Sequence, residues 1–246
     1  MIWLRFGPLA VCMESDYREL PWPWPAFLAR HPGRARWLLR LRVEGRRGAG
    51  EDGPLRWGQG AYLGPGFQLT PQQGHYRAEV SSPVACMGAL AAALVHESIR
   101  GEIALAHGAL LAVGRCGVLV LGASGAGKST VARRAGRRAW GSNAALLWRE
   151  GHKVAAVALP LTGHGDAAVI PRELGLVGAR WLGHEPRGGS PAGQVAWWLG
   201  GLAAAVGQVA PLDQALWLAK RVPLRGQKVS QGIDRLAGVA RPPQAE

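Results

Sequence analysis

Apolar and charged residues alternate along Trp37-Leu38-Leu39-Arg40-Leu41-Arg42-Val43, and a period of two over this length predicts a half-buried strand. Tyr76-Arg77-Ala78-Glu79-Val80 repeats the pattern. Between them Gly45 to Gly53 is polar and glycine-rich, as a loop or hairpin tip would be. From Val84 the period changes. Cys86-Met87-Gly88-Ala89-Leu90-Ala91-Ala92-Ala93-Leu94-Val95 reads as a small-residue helix packed closely on a sheet. Strand-like residues Glu102 to Val113 then turn at Gly114-Arg115 into Gly117-Val118-Leu119-Val120-Leu121, a wholly apolar run expected to be a buried strand, and the two form an antiparallel hairpin. Thr130 to Ala135 reads as helix. Ala144 to Trp148 and Val154 to Leu159 are a further strand pair around the turn Arg149-Glu150-Gly151-His152, and from Pro191 the chain reads as mainly helical, with a core helix over Ala196 to Ala210.

These elements divide the chain into a small β-rich N-terminal lobe at 1–83, an α/β domain with C-terminal helices at 84–240, and a frayed tail at 241–246. Two antiparallel pairs in the second domain predict a mixed rather than an all-parallel sheet. The lobe contains the segment Pro21-Trp22-Pro23-Trp24-Pro25, and its tryptophans are read as packing anchors.

Composition narrows the classes. With 246 residues and 48% hydrophobic content the chain can build a proper core. The three cysteines, Cys12, Cys86 and Cys116, are odd in number and lack C-x-x-C spacing, which argues against a disulfide framework or a zinc site and for a reducing cytoplasm. No signal-peptide core opens the chain, and no run reaches the roughly eighteen apolar residues of a membrane span. The net charge of +13 comes from arginines spread along the sequence, a diffuse positive field that attracts nucleotides, acidic peptides or proteins, and nucleic acid alike. Helix-turn-helix, zinc-finger and RNA-binding aromatic signatures are not found, so a solvated basic surface is favoured over a dedicated nucleic-acid site.

The chemistry concentrates in Gly122-Ala123-Ser124-Gly125-Ala126-Gly127-Lys128-Ser129-Thr130, which has the form G-x-x-x-x-G-K-[ST] of a phosphate-binding P-loop. Such a loop turns several backbone N–H groups toward one anion, and the following helix presents its positive end. Lys128 would reach the β- and γ-phosphates, and the Ser129 hydroxyl would ligate Mg²⁺. The expected ligands are therefore a nucleoside triphosphate and Mg²⁺. The lysine stands out, since the chain has only four, at 128, 153, 220 and 228, among 29 basic residues. No Asn-Lys-x-Asp-like segment selects guanine, and Lys-Ser in the loop does not suit a dinucleotide fold.

His107-Gly108-Ala109-Leu110-Leu111 followed by a short turn and Gly117-Val118-Leu119-Val120-Leu121-Gly122 resembles the HPr kinase family and its HPr-kinase-related relatives, over roughly residues 85–185. The resemblance implies an HPr kinase/PEP carboxykinase-like P-loop domain, ATP and Mg²⁺ as cofactors, transfer of the γ-phosphate to a Ser hydroxyl of a peptide, protein or small molecule, and self-assembly through a helical face. The family's acidic pair corresponds to Ser142-Asn143 here, and the Glu expected after Gly163 is His164. Asn143 with Ser129 would then flank the metal. His107 and Asp166 are the candidate groups to assist the acceptor, with Glu150 and His164 as further candidates. Three readings stay open: an ATP-dependent kinase of this type, a nucleotide-binding module that has lost catalysis and acts as an ATP-dependent interaction protein, and a basic nucleic-acid-associated ATPase.

Overall fold

A computed structural model of the chain describes residues 1–17, 24–50, 53–99, 102–141, 143–159, 172–183, 190–203 and 212–227. They form an α/β protein, mostly strands, with two mixed sheets and four helices. Two compact units divide it, the first ending at about residue 100 and the second carrying most of the residues beyond that point.

The first unit contains β1 (Ile2–Phe6), β2 (Leu9–Ser15), β3 (Leu28–Ala29), β4 (Trp37–Gly45), β5 (Arg56–Gly58), β6 (Ala61–Gly64), β7 (Phe67–Gln72), β8 (His75–Val80) and helix α1 (Ala85–Ile99). The sheet order is β3-β1-β2-β4-β8-β7-β6-β5, with β2–β4 and β4–β8 parallel. The alternation in β4 sorts its residues as expected: Leu39, Leu41 and Val43 are buried, while Arg40 and Arg42 are exposed. Helix α1 packs on β6, β7 and β8. Small residues allow that approach, for a Cβ on Gly88 would lie 2.5 Å from the Phe67 ring. The first unit therefore extends through α1, past the boundary at 83 drawn from the sequence.

The second unit contains β9 (Ile103–Ala106), β10 (Ala109–Val113), β11 (Cys116–Gly122), α2 (Lys128–Ala135), β12 (Ala139–Gly141), β13 (Ala144–Glu150), β14 (Lys153–Leu159), β15 (Glu173–Leu182), α3 (Pro191–Gly201), α4 (Leu212–Ala219) and β16 (Leu224–Gln227). Its sheet runs β12-β10-β11-β15-β14-β13-β9, and β16 pairs with β15. The hairpins β10–β11 and β13–β14 are antiparallel, as the pattern predicts. β15 pairs in parallel with β11 on one side and with β16 on the other, with Gly122, Leu182 and Gln227 in register at their carboxyl ends.

The apolar run in β11 reflects burial on both faces. Val118 and Val120 pack with Val131 and Ala132 of α2. Leu119 and Leu121 join a second core with Trp198 of α3 and Ala215 and Leu218 of α4. Each of these valine and leucine side chains contributes about 1.5–3 kcal/mol when fully buried.

Two chain connections shape the sheet. β9 and β10 are consecutive in sequence but lie far apart in the strand order, and so do β12 and β13. Alanines at 104, 106, 112, 145, 156 and 158 belong to one buried core, and the two connections meet where the Gly108 N–H donates to the Asn143 carbonyl. Gly108 and Gly141 sit on the crossings. A Cβ on Gly108 would meet the Val120 carbonyl at 2.7 Å, and one on Gly141 would meet the Ala158 methyl at 2.5 Å.

The C-terminal part departs from the mainly helical expectation. Helix α3 ends at Gly201, and β16 is a strand. The tail at 241–246 and the second half of the expected helix, 204–210, lie outside the described residues.

Candidate functional site

The glycine loop leaves the carboxyl end of β11 and enters α2, so the motif has the strand, loop and helix order it requires. Glycine is demanded at its start. Gly122 has φ 154°, and a Cβ there would stand 3.0 Å from the Leu182 carbonyl oxygen and 3.1 Å from the Ala126 methyl. Gly125 and Gly127 also have positive φ, at 77° and 93°. The N-terminal cap of α2 is Gly127, which has no side chain to offer the first helical N–H groups, and no acidic residue occupies the first turn. Those donors are the ones a helix leaves unsatisfied, and the cap residue leaves them open to a ligand or water. Ala123, Ser124 and Gly125 form an exposed crest.

Lys128 folds back under that crest. It is 6% exposed, and its Nζ donates to the carbonyls of Gly122 at 2.8 Å and Ala123 at 2.9 Å. Burial pushes its pKa below the ordinary lysine value. These contacts are neutral, and among the described residues no carboxylate pairs with the ammonium charge held beside the loop. Ser129, next in the chain, is exposed, and Thr130 is half-buried.

His107 and Asn143 meet at the strand crossings. The Gly108 N–H donates to the Asn143 carbonyl at 3.1 Å, and the His107 N–H donates to the carbonyl of Gly201, at the end of α3, at 2.8 Å. The His107 ring also hydrogen-bonds the Asn143 backbone. Although the side chain is partly open to solvent, desolvation and then the Lys128 cation hold its pKa below 6.5, with the Asn143 contact opposing them. The imidazole is therefore neutral at pH 7 and able to accept a proton.

The sequence candidates thus separate. Gly122 to Thr130, His107 and Asn143 gather at one end of the second unit. Glu150 does not join them: it ends β13, seven residues beyond Asn143, a separation of roughly 20 Å along a strand. It pairs in register with Lys153 across the hairpin. Asp166, His164 and Ser142 lie outside the described residues. Among the described residues no group of three or more His, Cys, Asp or Glu could hold a metal ion. Ser129 and Asn143 would offer Mg²⁺ neutral oxygens, so most of its ligands would have to come from phosphate and water.

Sequence reading missed Arg180 and Arg225. Arg180 is on β15, which pairs with β11, and Arg225 is on β16, one strand further out, with Val120, Arg180 and Arg225 in register. Arg180 is 6% exposed. The signal was an arginine on the same strand face as the inward-facing Leu182.

No family model matches the chain, and no curated protein matches it either. Among the described residues, no helix is long and apolar enough to cross a membrane.

Proposed function

We propose that the chain is an ATP-binding phosphotransferase of the HPr-kinase-related type, with a P-loop domain of HPr kinase/PEP carboxykinase-like fold as its second unit. The observation that carries this reading is the Lys128 ammonium, buried against two carbonyls of a glycine loop whose helix has no side-chain cap. That is the donor set a triphosphate tail requires.

The residues fit Mg-ATP, which when bound would supply the transferable phosphoryl group and neutralise part of its charge. The loop N–H groups hold the phosphates. Lys128 balances the terminal charge, and Ser129 and Asn143 are the oxygen donors available to Mg²⁺. His107, neutral at pH 7 and within electrostatic reach of Lys128, takes the proton of the attacking hydroxyl. In this scheme it does the work that an acidic pair does in the family, since Asn143 cannot accept a proton at neutral pH. The acceptor is a Ser hydroxyl on a peptide, protein or small molecule, and an acidic acceptor suits the +13 charge.

A second reading comes from the same Asn143. With an amide at that corner the site would bind ATP and change shape or partner without transferring phosphate, acting as an ATP-dependent interaction module.

Transfer of labelled γ-phosphate from Mg-ATP into fractions of a native lysate separates the two. The kinase reading expects a labelled acceptor with the wild type, none with Lys128→Ala, and a loss of about 10²–10⁴-fold with His107→Gln. Lys128-dependent ATP binding without transfer to any fraction would favour the interaction module. ATP binding indifferent to Lys128→Ala would sink both.

A further inference from the structure

Arg180 occupies an inward position of β15, two residues before the end of the strand. Leu182, on the same face, packs with Val131 and Ala132 of α2 and walls the first glycine of the loop. Arg180 therefore lies on the α2 side of the sheet, one strand from β11 and in register with Val120, two residues short of Gly122. Its only hydrogen-bond acceptor among the described residues is the neighbouring Ala179 carbonyl, 3.2 Å from one guanidinium nitrogen. Arginine carries five N–H donors in a planar fork. The in-register neighbour on β16 is a second cation, Arg225, and no carboxylate among the described residues pairs with either.

A guanidinium withdrawn from water beside another cation is costly unless something negative pairs with it. Burial and the Arg225 charge both push its pKa below the ordinary arginine value, the direction expected of a cation without a counter-charge. Had the position served packing alone, an aliphatic residue like its neighbour Leu182 would fill it at no electrostatic cost.

We propose that Arg180 and Arg225 form a binding subsite for one oxyanion, a phosphate or a carboxylate, at the carboxyl ends of β15 and β16. The planar fork of Arg180 binds two oxygens of the ligand, and the more exposed Arg225 supplies further charge. The oxyanion is either the terminal phosphate of a nucleotide in the adjacent loop or a group on a second ligand. Its connection to phosphoryl transfer rests on the proposed function, but the subsite itself does not.

The test is thermal unfolding of the full chain, titrated with inorganic phosphate and with pyrophosphate. The wild type is expected to gain stability with either anion. Arg180→Met should unfold at the same or a higher temperature without anion, because a buried cation with no carboxylate partner among the described residues has been removed. It should also lose anion affinity by about tenfold or more, the value of a charge-assisted hydrogen bond. Arg225→Gln, at an exposed position that tolerates exchange, should weaken the anion as well. Arg180→Met with a lowered unfolding temperature and an unchanged phosphate titration would overturn the proposal, as would a wild type indifferent to both anions.

Nucleotide titrations then identify the source. Selective weakening of Mg-ATP over Mg-ADP in Arg180→Met assigns the oxyanion to the γ-phosphate. Equal nucleotide affinities with lost phosphate binding assign it to a second ligand. Arg180-dependent phosphate binding that persists in Lys128→Ala separates the subsite from the loop, and Mg-ATP binding indifferent to Lys128→Ala counts against the proposed function alone.

Discussion

Lys128 and His107 are coupled through space, and the coupling is measurable without any ligand. The ammonium is held in place by two carbonyls, and its field is one of the two causes that keep His107 below 6.5. Removing the charge in Lys128→Ala should move the His107 midpoint upward, read as an imidazole chemical shift against pH. An unmoved midpoint would place the two groups too far apart to share a site. For catalysis the sign is set by the base, which must be unprotonated. Phosphoryl transfer should therefore fall as pH drops through the His107 midpoint, below 6.5, and hold steady from there toward neutrality. His107→Gln should remove that acid limb, while persistence of the limb would assign it to another group. At this scale the glycine loop was legible because its chemistry is local: nine consecutive residues carry it. Arg180 was not, because its burial beside Arg225 depends on what lies across the neighbouring strands, and no window of sequence contains that.

At the scale of elements, the strand crossings place His107 beside Asn143, and their glycines are the parts least open to change. Gly108→Ala puts a methyl 2.7 Å from the Val120 carbonyl, backbone that cannot step aside. The expected cost is about 1–3 kcal/mol of stability, read by denaturant unfolding. Gly175→Ala is the control. Its Cβ would meet nothing within 4 Å, and it should change stability by no more than a few tenths of a kcal/mol. Equal effects for the two would show that crowding at the crossing is not what demands glycine. Most strands were legible here, since alternation and apolar runs are set by which face is buried. β16 was not: Leu224-Arg225-Gly226-Gln227 has no pattern of its own and is a strand because β15 offers it an edge. The crossings were also hidden. The sequence reads Glu102 to Val113 as one strand, whereas the structure divides it into β9 and β10 and sets them far apart in the strand order.

For the whole molecule the dominant quantity is charge. Arg133, Arg134, Arg137 and Arg138, at the end of α2 and just beyond it, lie on or near the surface, and the net charge is +13. A field of this kind weakens with salt, the screening length falling from about 10 Å at 0.1 M to about 3 Å at 1 M. Binding of a labelled oligo-glutamate, measured by anisotropy, should weaken steadily across that range. Salt-insensitive binding would mean a local pocket selects the acid rather than the field.

The parallel pairing of β11 with β15 has a consequence for the order of assembly. Cys116 meets Gly175 in that ladder, so the strand that launches the glycine loop waits for a partner emerging roughly sixty residues later. Until then the β10–β11 hairpin presents a fully apolar, unpaired edge to whatever is nearby, and contacts of such long sequence separation close slowly. During synthesis the strand that launches the site therefore stays unpaired on this edge until β15 has emerged, and that is the stage at which the growing chain most needs protection from its own copies.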